Sequence, residues 1–205
     1  MNVQILPLAI TMMAGPQIMA AIIFVTSPKA LRVSIPFLAG VTIATTLGLI
    51  ITTFLASLLS LGDPSDSGST GHIIQYVLVG LLVALAVKNY VGRETAEPPG
   101  WLGALQNADP SRAFITGLLV ILLMPSDIII MLTVGTNLAQ SNAGFVAALP
   151  FIGATLLVAA LPLLFFLLFH RRAQTFMPKV RDWMNNNSWL VNIIVCGVFI
   201  ALILF

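Results

Sequence analysis

The stretch FITGLLVILLMPSDIIIMLTV, residues 114–134, decides the fold because it is long and apolar enough to cross a membrane as a helix. Its single charged side chain, Asp127, lies near the centre, directly after Pro125 and Ser126. An ionised carboxylate in mid-membrane costs roughly 2.5–3.5 kcal/mol even on the lenient insertion scale. Asp127 must therefore face a polar cavity, bind a cation or carry a proton. The alternative is that Asp127 has no function in binding, and that its protonated carboxyl forms a hydrogen bond to a neighbouring helix only for packing.

Further apolar runs on both sides of this stretch predict an all-α integral membrane protein. With it they give six transmembrane helices, at 5–25, 35–61, 73–87, 114–134, 146–169 and 189–205. The composition agrees, since only 8% of the residues are charged, against about 25% in soluble domains. Six spans leave no room for a soluble catalytic domain, so any activity must reside in the helix bundle or its short loops.

The basic residues predict the orientation of these helices. All of them fall in the segments after the first, third and fifth runs: Lys29, Arg32, Lys88, Arg93, Arg112, Arg171, Arg172, Lys179 and Arg181. Because short basic loops stay in the cytoplasm, both termini are predicted to lie outside. The pI near 9.0 then reflects topology and contact with anionic membrane lipids. No nucleic-acid partner is expected, because no basic stripe with interleaved aromatic residues occurs.

Landmarks of the first half recur in the same order in the second half. The pairs are Pro16 with Pro125, Pro36, Phe37 and Gly40 with Pro150, Phe151 and Gly153, and Gln75 and Gly80 with Asn192 and Gly197. Coincidence is the alternative, because apolar sequences match one another easily. A true repeat of three spans must enter the membrane from the opposite face, which is the inverted architecture of many secondary transporters. The predicted units are 1–92 and 113–205, joined by a cytoplasmic connector at 93–112. We also expect Gly40, Gly80, Gly153 and Gly197 to permit close helix contact.

Proline interrupts two of the predicted spans at matching positions of this repeat. Pro125 removes a backbone hydrogen bond beside Asp127, and Pro16, flanked by Gly15 and Gln17, does the same in the first span. Interrupted helices at matching repeat positions indicate a binding site at the membrane midplane. A purely structural kink is the alternative. The predicted substrate or ion site is formed by Asp127, Ser126, Pro125, Pro16 and Gln17.

Threonine hydroxyls of the second span add to the candidate site. Thr45 and Thr46, with Thr42 and Thr53, lie near one face at helical spacing. Their hydroxyls can line a path, or they can bond to carbonyls of their own helix, which is the simpler interpretation. At the start of the fourth span, Asp109 followed by Pro110 predicts an N-cap and the first helical residue.

The sequence gives no support for enzyme catalysis. It contains no nucleophile with a neighbouring base, no His and Glu at metal-ligand spacing and no phosphate-binding loop. We therefore expect no catalytic residue, no metal site and no cofactor. The single cysteine, Cys196, excludes an internal disulfide. Residues 101–105 and 175–184 mix aromatic, apolar and polar residues and are predicted to lie at the membrane interface.

Several local patterns resemble the GAP/Sap family of glycopeptidolipid- and sulfolipid-addressing proteins, within the LysE superfamily of exporters. They are Thr26-Ser27-Pro28-Lys29-Ala30 before Phe37-Leu38-Ala39-Gly40, Trp101-Leu102-Gly103-Ala104-Leu105 before Pro110-Ser111-Arg112-Ala113-Phe114, the proline motif of span four, and Trp183 with Asn185-Asn186. The resemblance covers most of the chain. It implies six spans in inverted repeats and export of lipids or small solutes across the cytoplasmic membrane of a bacterium or archaeon.

The proline motif departs from the family pattern at two positions. The family motif is often close to Asn-Pro-Lys-Asn or Asn-Pro-Lys-Asp, and here it is Met124-Pro125-Ser126-Asp127. The proline and the last polar residue match, whereas the first amide and the lysine do not. The absence of the lysine leaves Asp127 without a charged partner.

Together these features predict a transporter that exports a lipid or amphipathic small molecule by alternating access. Asp127 would exchange a proton or another cation during the cycle. Efflux of an amino acid, metal cation or other small solute is one alternative, and a non-transporting scaffold of a lipid-export complex is another. The expected partners are membrane lipids, the substrate, the coupling ion and a second copy in a homodimer.

Overall fold

The computed structural model describes most of the first, second, fourth and fifth predicted spans. The described residues are 6–13, 15–58, 80, 83–84, 86–88, 90–92, 105–141, 144–187, 189–190, 193–194, 197 and 200. They lie in helices or in turns between helices, and no strand occurs among them. The helices with defined bounds are α1 Leu6–Met13, α2 Pro16–Thr26, α3 Ala30–Leu58, α4 Pro110–Leu123, α5 Pro125–Ser141, α6 Leu149–Leu168 and α7 His170–Asn186. The all-helical prediction is confirmed for this part of the chain.

Two continuous helices are long and apolar enough to cross a membrane. They are α3, with 29 residues, and residues 145–168, in which a 3₁₀ turn leads into α6. The pairs α1–α2 and α4–α5 also qualify if each bent pair counts as one span, which gives up to four spans among the described residues. The third and sixth predicted spans lie largely outside these residues. The six-span arrangement therefore stays a prediction.

The helix boundaries follow from local sequence. At α4, the side chain of Asp109 accepts a hydrogen bond of 2.7 Å from the backbone N–H of Arg112, and Pro110 is the first helical residue. The predicted N-cap is thereby confirmed. Met124 is extended, as expected of a residue before proline, and α5 starts directly at Pro125. Each of the first and fourth predicted spans is therefore two helices, whereas the second is continuous and begins at Ala30.

Helix α3 has its most extensive packing against α4 and α5. A Cβ atom on Gly40 would overlap the backbone carbonyl of Phe114, and one on Gly117 would overlap the carbonyl of Phe37. The two helices thus approach with backbone against backbone at a reciprocal pair of glycines. Gly80, Gly153 and Gly197 were predicted to play the same part, but a Cβ at each of them would meet nothing within 4 Å. That prediction is wrong for these three glycines, because they are exposed.

Three of the basic segments meet at one end of the bundle. A cavity is lined by the turn after α2, by Phe166 of α6 and by α7 residues Ala173 and Met177. A second is lined by Lys29 together with Asn107 and Ala108, just before α4. Residues 175–184, predicted to lie at the interface, fall within α7, which buries Ala173 and Met177 against α2 and α6.

Candidate functional site

Glycine and proline break the first predicted span beside the candidate site. Gly15 has φ +111°, a conformation that a residue with a side chain rarely adopts, and Pro16 follows as the first residue of α2. The axes of α1 and α2 are bent by 63° at this point. Gln17, in the first turn of α2, is thereby held at the break, and only 1% of its surface is exposed.

The second break lies between α4 and α5, which are bent by 68°. Pro125 has no N–H, and the backbone N–H groups of Asp127 and Ile128 both donate to the carbonyl of Met124 at 3.1 Å. This turn places Ser126 and Asp127 at the beginning of α5. The carboxylate of Asp127 is 1% exposed, so the structure buries it completely.

A direct hydrogen bond connects the two breaks. The Nε2 atom of Gln17 donates to Oδ2 of Asp127 at 2.7 Å, across 110 positions of the chain. The hydroxyl of Ser126 donates to Oδ1 at 3.2 Å. The Oε1 atom of Gln17 is buried and has no partner among the described residues. The structure thus brings Gln17, Ser126 and Asp127 into one cluster, with Pro16 and Pro125 at the two helix starts that form it.

Thr45 lies at the same depth in the bundle as this cluster. Helices α3 and α5 run parallel, with Gly48 against Met131 and Thr52 against Gly135. Thr45 is one turn before Gly48, and Asp127 is one turn before Met131. The buried Oγ1 atom of Thr45 has no hydrogen-bond partner among the described residues, so it is available to a ligand or water.

Two other hydroxyls of this face behave differently, whereas the buried Oγ1 atom of Thr53, like that of Thr45, has no partner among the described residues. Thr42 donates to the carbonyl of Leu38 at 2.8 Å, and Thr46 donates to that of Thr42 at 2.7 Å. Back-bonding, the simpler interpretation, is confirmed for these two residues. Thr46 therefore has its donor occupied within its own helix, and the structure does not bring it into the cluster around Asp127.

Two helix starts lie beside the carboxyl group of the cluster. Gln17 and Asp127 both lie in the first turn of a helix, and their contact brings the amino-terminal ends of α2 and α5 together. Each helix start carries a partial positive charge of about half a unit. Two such ends offset part of the cost of burying a negative charge on Asp127.

Gln17 and Asp127 are both buried. Cavities formed by the described residues lie beside α4, beside α5 and at the two basic turns, and Asp127 lines none of these. A buried carboxyl with unpartnered oxygen atoms beside it can bind and release a proton or a small cation. Exchange with either side of the membrane requires the two breaks to separate.

Sequence reasoning missed the residues that hold α3 against α5. The hydroxyl of Thr52 donates to the backbone carbonyl of Met131 at 2.9 Å, and Gly48 and Gly135 allow the close approach on either side of it. Small residues four apart, as at Gly48 and Thr52, are the usual signal of tight helix packing in membranes. That spacing was available in the sequence.

Comparison with known proteins gives one match. A family model described as "Sap, sulfolipid-1-addressing protein" matches residues 5–205. No curated protein and no solved structure matches the chain.

Proposed function

Since the chain belongs to the Sap, sulfolipid-1-addressing protein family, we propose that it exports a lipid or amphipathic lipid-linked molecule by alternating access. The family resemblance drawn from the residue patterns is thereby confirmed, and the chain is a helical membrane protein of a lipid-addressing family. We further propose that it acts in the cytoplasmic membrane of a bacterium or archaeon and is a member of the LysE superfamily of exporters.

The observation that carries the proposal is the bond between Gln17 and Asp127. It joins two broken helices from opposite halves of the chain at a buried acid. Broken helices whose amino-terminal ends meet at a polar site are the usual construction of secondary transporters.

The packing of the halves supports an inverted repeat. The long helix α3 of the first half packs mainly on the broken pair α4–α5 of the second half. Correspondingly, the long helix α6 of the second half contacts the broken pair α1–α2 of the first. This exchange is what a two-fold axis relating residues 1–92 to residues 113–205 would produce.

In the proposed cycle, Asp127 binds a proton or cation from one side and releases it to the other. Binding neutralises the carboxylate and weakens its attraction to the two helix starts. The halves then rearrange, and the cavity opens to the opposite face. Thr45 and the unpartnered Oε1 of Gln17 supply polar atoms to the charge or water that enters.

The test is coupled transport in proteoliposomes with an imposed proton or sodium gradient. The probe is a fluorescent phospholipid whose arrival in the opposite leaflet is measured by chemical quenching. We expect Asp127→Asn to abolish the gradient-dependent part of the rate while the protein stays folded. The control Asp182→Asn, at an exposed acid paired with Arg181, should leave that rate unchanged. Gradient-driven transport by Asp127→Asn at the wild-type rate would refute the role of the acid.

A scaffold role in a lipid-export complex is the second candidate, favoured by the burial of Asp127, which is 1% exposed. A scaffold predicts a stable partner that co-purifies with the chain and no gradient-dependent transport by the purified protein. Efflux of a small solute remains the alternative substrate class. It predicts saturable binding of a water-soluble ligand, which lipid export does not.

A further inference from the structure

A cavity of about 510 Å³ runs along one face of α4 and is separate from the buried cluster. Its walls include Arg112, Ile115, Leu119, Val120, Leu123 and Met124, which recur at helical spacing. Leu119 is 47% exposed and Leu123 is 68% exposed, so the cavity opens sideways, toward the lipid. It therefore forms a lateral groove that extends from the basic end of the bundle to the break before Pro125.

The chemistry of the groove changes along its length. The guanidinium of Arg112 is exposed and, among the described residues, has no carboxylate within ion-pair distance. Asp109, the nearest acid in the sequence, accepts from the backbone N–H of Arg112 instead. The hydroxyl of Thr116 donates to the carbonyl of Arg112. Among the described residues that line it, the groove thus has one cation, at its end, and the rest of this lining is predominantly apolar.

The length of the groove matches one leaflet of a bilayer. From Arg112 to Met124 the helix rises about 18 Å at 1.5 Å per residue. Half of the hydrocarbon core measures about 15 Å. With Arg112 at the headgroup level, the far end of the groove lies near the midplane, next to the turn that holds Asp127.

We propose that this groove binds one anionic lipid of the cytoplasmic leaflet, with its headgroup on Arg112 and an acyl chain along Ile115, Leu119 and Leu123. A guanidinium binds phosphate and sulfate oxygens through paired hydrogen bonds, which explains the choice of an anionic headgroup. The proposal rests on the proposed function and deepens it, because the groove is the route by which a lipid reaches the α4–α5 break.

A second cavity provides the matched control. It measures about 450 Å³ on the outer face of α5 and is lined by Ile129, Leu132, Thr133, Thr136 and Asn137. It is similar in size but has no charged residue in its lining. Ordinary lipid contact predicts the same behaviour for both cavities, whereas a headgroup site on Arg112 predicts selectivity for anionic lipid at α4 alone.

The experiment uses the full chain in nanodiscs and a lipid with a photoreactive group on one acyl chain. The probe is either phosphatidylglycerol or phosphatidylcholine, and the labelled peptides are identified by mass spectrometry. We expect phosphatidylglycerol to label α4 about fivefold more than phosphatidylcholine, since one basic side chain near anionic lipid contributes about 1 kcal/mol. Labelling of α5 should not depend on the headgroup. Arg112→Gln should remove the preference at α4, and Arg112→Lys should restore part of it.

A second variant leaves Arg112 unchanged, so that the test does not depend on whether the Arg112 variants fold. Leu119→Trp fills the middle of the groove and should lower the labelling of α4 by both lipids without changing that of α5. Equal labelling by the two lipids, or a preference that survives Arg112→Gln, would refute lipid binding in the groove. Neither result would contradict the proposed transport through Asp127. A preference that depends on Arg112 in a protein whose transport ignores Asp127→Asn would support the groove and refute the proposed function.

Discussion

At the scale of single residues, the candidate site depends on one buried hydrogen bond, between the amide of Gln17 and the carboxyl of Asp127. A buried carboxyl without a hydrogen-bond donor is costly in an apolar interior. Gln17 supplies that donor from a different helix, and Ser126 supplies a second from the neighbouring position. The contact gives the buried carboxyl a hydrogen-bond donor and also fixes the distance between α2 and α5.

Replacing Gln17 by Leu should destabilise the protein by about 1–3 kcal/mol, because a buried acceptor loses its partner while the volume is nearly conserved. The measurement is thermal unfolding in detergent. The control is Thr46→Val, whose hydroxyl bonds only within α3, and it should change the stability much less.

A double-mutant cycle separates this contact from general packing. The effects of Gln17→Leu and Asp127→Asn should be non-additive by about 0.5–3 kcal/mol, as is usual for residues in direct contact. Additive effects would show that the hydrogen bond does not couple the two helices.

The sequence identified most of this site because its members are chemically unusual where they occur. A carboxylate in an apolar run and prolines in two such runs are visible without coordinates. The partner atoms were not visible, since the pairing of Gln17 with Asp127 depends on how α2 and α5 cross. Thr45 and Thr46 were equivalent in sequence, and only packing distinguishes the free hydroxyl from the bonded one.

At the scale of helices, α3 is the element on which the others are arranged. Its amino-terminal half contacts α4 through Gly40 and Gly117. Its carboxyl-terminal half contacts α5 through Thr52 and Met131. Without a hydrophobic driving force between helices in lipid, close packing and interhelical hydrogen bonds must hold them together. Both kinds of contact occur along this one helix.

Gly40→Ala should destabilise the protein by about 1–3 kcal/mol or more, because the added methyl forces two backbones apart. Gly117→Ala should have a similar effect from the opposite helix. The matched control is Gly153→Ala on α6, where a Cβ meets nothing within 4 Å and no loss is expected. Thermal unfolding of the three variants measures the difference, and equal stabilities would show that this helix crossing tolerates extra volume.

Sequence reasoning located the helices well but not their packing. Apolar runs and the cap at Asp109 located the first, second, fourth and fifth spans, although α3 begins five residues before its predicted start and α5 ends seven residues after the predicted end. The repeat suggested equal roles for Gly40 and Gly153, and the structure separates them, because only Gly40 faces another backbone. Which glycine meets a neighbour depends on the rotation of each helix, and in a helix that is apolar all round the sequence does not define that rotation.

At the scale of the whole molecule, the basic segments make one end of the bundle different from the other. The turn after α2, the start of α4 and helix α7 lie together at one end. Phe176 and Trp183 of α7 are exposed beside this end, and Lys179 is exposed as well. Basic and aromatic side chains on one surface suit the cytoplasmic headgroup region.

The position of this basic end predicts the labelling pattern of single cysteines introduced into a Cys196→Ser background. A membrane-impermeant maleimide applied to intact cells should label Val146→Cys, at the end opposite the basic turns, but not Lys29→Cys or Trp183→Cys. The last two should react only after the membrane is opened. The reverse pattern would invert the orientation, and labelling of all three from outside would contradict a single cytoplasmic end.

The joining of α2 and α5 has a mechanical consequence. One carboxyl group holds the ends of two helices that belong to different halves of the chain, so it acts as a latch. In the proposed cycle, α2 and α5 separate only when another partner replaces that bond. In that cycle, the ion or molecule that replaces it sets the moment at which the halves rearrange.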